Sequence, residues 1–144
     1  MKAAAITRFG PPDVLQMQDW PTPVPREDDV LIKVKAIGLN FADVMARLGV
    51  YPSIPDPPFV GGIEISGVVF SVGKNVKSVK KGDRVLSFTK QGGYAEFVSV
   101  PWNYVQPLPR AVGFDVGVAL GVAYLTAYHA LITLANIKKK EKVH

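Results

Sequence analysis

The sequence offers polar side chains for chemistry but no thiol. It contains no cysteine, which excludes a disulfide framework and a thiolate metal site. Asn40 and Asp43 stand at the start of a short helical pattern, and Thr126 and His129 stand about one turn apart in an apolar segment. Structural roles are open to them too, as a helix cap, a side chain bonded back to its own helix, or a structural histidine. Without a metal or an activated nucleophile, such side chains would position a molecule that carries its own chemistry.

Short strands separated by turns must hold these residues in place. Residues 30–37 alternate, with Val30 and Ile32 on one face and Lys33 and Lys35 on the other, as in a half-buried antiparallel strand. Glycine and proline, 13 and 12 of the 144 residues, mark the turns. The other predicted strands are 2–9, 14–20, 64–72, 84–88 and 94–100. This succession predicts a small β-barrel or sandwich, in a mainly β chain with helices (α+β).

A short helix and a stiff loop are predicted between two of the strands. Asn40 can cap this helix, and Gly49 ends it. Residues 51–58 follow and contain four prolines, which restrict the backbone of a surface loop. The polar residues of this region are therefore expected at the edge of the barrel.

A long helix is predicted in the last third of the chain. Residues 116–137 carry no charge if His129 is neutral, and Lys138 follows them, which suits one helix of about six turns. Gly117 and Gly121 give it a smooth strip where another backbone, in this chain or in another, can approach closely. The segment is long enough to cross a membrane, but its polar residues favour burial against protein.

The charge distribution argues against nucleic acid as a partner. The net charge is +5, and much of it lies in two lysine clusters, 74–90 and 138–142, beside turns and after the long helix. A solvated surface explains such clusters, whereas a nucleic-acid groove would interleave them with aromatic residues. Residues 1–6 are too short an apolar run for a secretion signal, so a cytoplasmic location is expected.

Four motifs resemble those of a known superfamily. Residues 62–69 fit G-x-E-x-x-G-x-V and residues 82–85 fit G-D-R-V, as in the medium-chain dehydrogenase/reductase superfamily. Residues 39–51 begin L-N-F-A-D, with Gly49 and Tyr51 near their end. They resemble the zinc-free quinone oxidoreductase branch of this superfamily, and most closely the vesicle amine transport-like group. Residues 125–128 resemble the start of the interdomain helix of these proteins. The resemblance extends over nearly the whole chain.

The resemblance implies a division of the chain. Residues 1–112 would form a GroES-like β-barrel on the substrate side of a cleft, and residues 113–144 the interdomain helix and the start of a nucleotide-binding domain. In such proteins that second domain is a Rossmann fold with a Gly-rich turn for the pyrophosphate. The sequence contains no G-x-G-x-x-G. We therefore expect the Rossmann domain to be absent from this chain, and the chain alone to be inactive.

The resemblance also implies chemistry without zinc. Asn40 stands where zinc-dependent relatives have a cysteine ligand, and Ile63 where they have a histidine; neither is a good zinc ligand. The implied reaction is hydride transfer from NADPH to a quinone or a related conjugated carbonyl. Asn40 and Tyr51 match the catalytic positions, and Asn40 and Thr126 match positions near the cofactor. Asp43 and Glu64 are expected to hold loops through hydrogen bonds.

Two other hypotheses stay open at this point. The chain could be a non-catalytic assembly module that pairs with another copy through helix 116–137, or a membrane-associated protein in which that helix inserts. Soluble monomers avoid exposing an uncovered apolar helix. A homodimer is therefore expected for both soluble hypotheses, the oxidoreductase domain and the assembly module.

Overall fold

Eight strands form two antiparallel sheets in the computed structural model, which describes residues 1–143. One sheet has the order β2-β1-β4 and the other the order β7-β3-β5-β6-β8. The mainly β architecture with helices is as predicted. The strands are β1 (Lys2–Ile6), β2 (Leu15–Asp19), β3 (Asp29–Gly38), β4 (Phe59–Val60), β5 (Glu64–Val72), β6 (Arg84–Phe88), β7 (Phe97–Pro101) and β8 (Val105–Pro107).

The main hydrophobic core is formed by β3 and the strands next to it in the five-stranded sheet. Val30 and Ile32 are fully buried while Lys33 is exposed, so the alternation read from the sequence is confirmed for this strand. β3 pairs with β5 on one side and with β7 on the other. Ile65 and Val85, from β5 and β6, complete this centre and are also fully buried.

Some predicted strand boundaries were wrong. The first strand ends at Ile6 rather than at residue 9, because a turn and a 3₁₀ helix, Pro12–Val14, follow. The last predicted strand begins at Phe97 rather than at residue 94, since Ala95 forms only an isolated bridge to Ala3. β4 and β8 have two and three residues, which is too short for periodicity to reveal.

The short helix is confirmed, and its end is bonded to the turn after β1. It runs over Phe41–Arg47 and is preceded by Asn40 in an extended conformation. The Asp43 carboxylate accepts the backbone N–H of Asn40 at 2.8 Å, which satisfies a donor that the helix start would otherwise leave free. The guanidinium of Arg47 donates to the carbonyl of Gly10. These bonds fix the direction of the helix and of the loop that leads to Tyr51.

The long helix runs over Phe114–Leu134 and differs in detail from the prediction. It contains two π-helical stretches, Leu120–Tyr124 and His129–Leu134. It ends three residues before the predicted end, and Asn136 adopts a left-handed conformation with φ of 50°, a geometry that asparagine tolerates and that ends helices. The lysines that we assigned to the helix end therefore lie beyond it.

The glycine strip of the long helix packs on the barrel of the same chain. A Cβ atom on Gly117 would lie 2.6 Å from Leu108 Cδ1, and one on Gly121 would lie 3.4 Å from Glu64 Oε1. Ser66 Oγ also donates to the carbonyl of Phe114 at 2.6 Å. The partner that the sequence left undecided is thus the chain's own barrel.

The opposite side and the second half of the long helix are uncovered. Tyr124, Leu125 and Leu134 are 61%, 59% and 71% exposed. The rings of Tyr124 and Tyr128 stack on each other with centroids 6.5 Å apart. By length and composition the helix could cross a membrane, but its first half is already packed on the strands.

Arg84 anchors the start of the long helix. Its guanidinium lies 3.9 Å from the centre of the Phe114 ring and donates to the carbonyl of Val112 at 2.5 Å. We expect Arg84→Lys to lower the free energy of unfolding by about 1–2 kcal/mol in urea denaturation, because an ammonium cannot stack flat on the ring. Arg8→Lys is the control. Its exposed ion pair with Asp13 predicts a change below about 0.5 kcal/mol, and equal losses would contradict the anchoring role.

Candidate functional site

The Glu64 carboxylate lies at the centre of the candidate site. It is the first residue of β5 and only 2% exposed. Its Oε2 accepts the side-chain amide N–H of Asn40 at 2.9 Å, and its Oε1 accepts the backbone N–H of Val122 at 2.6 Å. A buried carboxylate needs such donors, because burial without them is costly. The expectation that Glu64 holds loops through hydrogen bonds is met.

Asp43 and Tyr94 form a second buried polar group next to the first. Asp43 is 8% exposed, and burial raises the pKa of its carboxyl, against the opposing effect of the Asn40 N–H that it accepts. The Tyr94 hydroxyl is buried as well. Burial, and then the nearby Asp43 charge, raise the pKa of Tyr94 well above its ordinary value, so this phenol stays neutral at physiological pH.

The raised pKa of Asp43 predicts a specific dependence of stability on pH. The folded chain holds the Asp43 proton more tightly than the unfolded chain. Protonation therefore stabilises the fold at low pH, and this contribution is lost as pH rises from about 3.8, the ordinary value, through the folded pKa. We expect Asp43→Asn to become more stable relative to the wild type over this window, measured by urea denaturation between pH 3 and pH 7.

Asp19 provides a control of opposite sign. Its hydrogen bond and ion pair with Lys2 lower the pKa of this carboxyl, so the folded state prefers the charged form. The wild type should therefore gain stability relative to Asp19→Asn as pH rises toward 3.8. A difference between the Asp43 variant and the wild type that does not change with pH would contradict the assignment.

A half-open cavity of about 380 Å³ adjoins Asp43 and Tyr94. It lies between the short helix, the proline-rich loop and the start of β5. Its walls combine apolar side chains with a few polar groups, the composition typical of small-molecule sites. Apolar contributions come from Ile6, Ile54, Pro55 and Phe59, and polar ones from Asp43, Tyr51, Lys90, Gln91 and Tyr94.

The structure brings two of the three predicted site residues into one region. Tyr51 lines the cavity and is 43% exposed. Asn40 lines an adjoining hollow that shares Asp43 and Tyr94 with the cavity. Thr126 is exposed on the long helix, four residues after Val122, and lines neither of these two hollows. The functional roles of Asn40, Tyr51 and Thr126 stay predictions.

Sequence reasoning missed three of the cavity residues. Lys90, Gln91 and Tyr94 come from the turn between β6 and β7, where no motif indicates a site. Tyr94 could have been suspected from Gly92 and Gly93 before it, because paired glycines often mark a close approach of backbone. A Cβ atom on Gly93 would indeed lie 2.8 Å from the carbonyl oxygen of Gly62.

The metal prediction concerns Asn40 and Ile63, at the positions of zinc ligands. Asn40 donates to a carboxylate, and Ile63 contributes a wall of the cavity and a backbone carbonyl that accepts the N–H of Thr89. Within residues 1–143, no three His, Asp or Glu side chains come together as metal ligands. Zinc-independent chemistry stays a prediction.

Comparison with known proteins identifies the class of domain. The profile of the alcohol dehydrogenase GroES-like domain matches residues 26–110, more than half of the 144 residues. The chain therefore belongs to the GroES-like domain family of the medium-chain dehydrogenase/reductase superfamily, as its motifs predicted.

Individual relatives point to one branch of this superfamily. A quinone oxidoreductase of Lama guanicoe is 42% identical over 145 residues, covering 99% of this chain and 44% of that protein. The crystal structure of human synaptic vesicle membrane protein VAT-1 homolog-like protein superposes with a TM-score of 0.91 at 36% identity, over 96% of this chain and 45% of that one. Quinone oxidoreductase of Escherichia coli complexed with NADPH gives 0.87 at 32% identity, over 94% and 41%. The predicted resemblance is confirmed.

The chain spans less than half the length of these relatives, between 41% and 45%. The shared part is the GroES-like domain with the helix that follows it. Two of these three relatives are quinone oxidoreductases by name, which supports an oxidoreductase as the kind of protein in which this domain occurs.

Proposed function

We propose that this chain is the substrate-side domain of a zinc-independent oxidoreductase that transfers a hydride from NADPH to quinones or related conjugated carbonyls. The observation that carries the proposal is the cavity beside Tyr51, which combines apolar walls with a tyrosine hydroxyl. A flat conjugated ring fits apolar walls, and its carbonyl oxygen needs a hydrogen-bond donor as negative charge develops. The names of the relatives add support.

Tyr51 is the donor that we assign to the substrate oxygen. Its hydroxyl belongs to the stiff loop that closes one side of the cavity. Phenols donate well to developing oxyanions and can pass on a proton after the hydride has arrived. Lys90 lines the same cavity, and its positive charge would favour that oxyanion further.

Asn40 and Thr126 fit the nicotinamide end of the cofactor. NADPH, when bound, supplies the hydride. The Asn40 side chain is held by Glu64, and Thr126 is exposed on the helix that Glu64 also holds, so both side chains would be available to hydrogen-bond the nicotinamide amide. Within the described residues we find no glycine-rich cradle for the pyrophosphate, so this chain would bind only part of the cofactor.

NADPH oxidation with 1,4-benzoquinone tests the proposal. It should be measured on a longer protein that contains this chain and on the 144-residue chain itself. We expect turnover only for the longer protein. Tyr51→Phe should lower its kcat/KM by about 100-fold, because the phenol donor is lost, whereas Tyr104→Phe, at a tyrosine that does not line the cavity, should leave it unchanged. Equal rates for Tyr51→Phe and the wild type would contradict the role of Tyr51.

Calorimetry of NADPH binding to the 144-residue chain, with NADH as a control, tests the placement of the cofactor. We expect no measurable binding of either dinucleotide. Micromolar binding of NADPH to this chain would mean that its surface holds far more of the nucleotide than Asn40 and Thr126 can contact.

A second candidate function is self-assembly through the long helix. The observation that favours it is the uncovered apolar side of that helix, with Tyr124, Leu125 and Leu134 mostly exposed. We infer that the 144-residue chain forms a homodimer in the cytoplasm. In this dimer the long helix contacts its copy and binds neither a membrane nor nucleic acid. Leu125→Glu should convert the dimer to a monomer in light scattering, and Leu39→Glu, at an exposed leucine outside the helix, should not. A monomeric wild type would refute the assembly.

A further inference from the structure

Glu64 ties together two segments that are far apart in the sequence. One oxygen accepts from the side chain of Asn40, 24 residues earlier, and the other from the backbone of Val122, 58 residues later. The two donors therefore do not compete for one acceptor atom. Hydrogen bonds to a buried carboxylate are strong, and moving either donor would leave a buried polar group unpaired.

Two glycines, Gly38 and Gly121, lie next to this carboxylate and differ in how much space they leave beside it. A Cβ atom on Gly38 would lie 2.8 Å from Glu64 Cδ, closer than such atoms approach in proteins. A Cβ atom on Gly121 would lie 3.4 Å from Oε1, at the edge of ordinary contact. A side chain at position 38 would therefore push the carboxylate out of place, whereas position 121 can accept a methyl group.

Val122 belongs to a π-helical turn of the long helix, Leu120–Tyr124. Such turns rearrange the backbone hydrogen bonds of a helix and are frequent at functional sites. Here the turn presents a backbone N–H to Glu64. The irregularity of the helix and the position of the carboxylate thus belong to one arrangement.

We propose that Glu64 is a positioning residue, which holds the Asn40 amide and the π-helical turn of the long helix in one fixed arrangement. Asn40 and the π-helical turn that leads to Thr126 then keep a constant relative position although they are far apart in the sequence. The assignment of Asn40 and Thr126 to the nicotinamide rests on the proposed function. The coupling of the two segments rests on the described residues alone.

Nuclear magnetic resonance of the ¹⁵N-labelled chain tests the coupling. Glu64→Gln keeps the shape of the side chain but offers one acceptor oxygen to two donors. We expect the backbone amide signal of Val122 and the side-chain amide signals of Asn40 both to shift in this variant, with the far-ultraviolet circular dichroism unchanged. Unchanged Asn40 and Val122 signals would overturn the proposal.

Two glycine variants form a matched pair for the same measurement. Gly38→Ala displaces the carboxylate and should shift the Asn40 and Val122 signals as Glu64→Gln does. Gly121→Ala adds the same methyl group on the other side of the carboxylate and should leave the Asn40 signals in place. Equal shifts in the two glycine variants would contradict a specific role of the carboxylate.

A double-mutant cycle on the longer protein tests the positioning role. Glu64→Gln and Asn40→Ala should each lower kcat/KM for NADPH by roughly tenfold, and the double variant should lose clearly less than the product of the two single losses, because Glu64 acts in part through Asn40. Additive losses would overturn the inference while leaving the proposed function intact. An inactive wild type would refute the proposed function, and the resonance experiment would still decide the coupling.

Discussion

Gly67→Ala is expected to lower the free energy of unfolding by about 3 kcal/mol or more. Gly67 lies in β5 opposite Val34, and a Cβ atom there would collide with the backbone carbonyl of Lys33 and approach Ile32 Cγ2 to 2.9 Å. A carbonyl within a paired strand cannot move without breaking the pairing of β3 with β5. Urea denaturation followed by circular dichroism measures the loss.

Gly82→Ala is the matched control for this prediction. Gly82 has φ of 93°, but nothing lies within 4 Å of a Cβ atom placed there. Its substitution should therefore cost only the strain of a left-handed backbone, about 1 kcal/mol. A similar loss of unfolding free energy for Gly67→Ala and Gly82→Ala would contradict this explanation. It would mean that backbone conformation, and not close packing, requires glycine at both positions.

Ile65→Ala should lower the free energy of unfolding by about 2–5 kcal/mol. The Ile65 side chain is fully buried and belongs to the central core cluster with Val30, Ile32 and Val85. Removing three carbon atoms from this position loses their transfer from water and leaves a cavity that the paired strands cannot close. The same urea measurement applies.

Ile37→Ala tests whether burial is the cause of that loss. Ile37 lies opposite Ile65 in the register of β3 and β5 but is 41% exposed. We expect a loss below about 1 kcal/mol, since a surface substitution away from such packing has little effect. A larger loss for Ile37→Ala than for Ile65→Ala would contradict the placement of the core.

The sequence could predict strands that are long or bounded by clear turns. β5 and β6 were predicted at their observed limits, because Gly73 ends one and the turn at Gly82 begins the other. The π-helical turns of the long helix could not be predicted. The first of them contains Val122, whose N–H is bonded to Glu64, 58 positions away in the sequence, and local pattern does not reveal such a contact.

The candidate site was predicted only in part, for a similar reason. The motif around Asn40 and the one around Glu64 were both recognised, yet nothing in their spacing says that the two side chains bond to each other. Tyr94 stands in no recognised motif. It reaches the cavity because the turn before β7 returns beside Gly62, with the Tyr94 N–H bonded to Gly61 at 2.9 Å. Such meetings depend on sheet topology, which local pattern does not specify.

The bond between Val122 and Glu64 divides the long helix into two parts of different local stability. Residues before Val122 can open only if their packing on Leu108, Ser66 and Glu64 is broken, so their amide hydrogens should exchange with solvent as slowly as those of the neighbouring strands. Residues after it lie outside that packing, and an isolated helical segment of a few turns is marginal in water. These residues should exchange early, as a separate unfolding unit whose opening leaves the barrel closed.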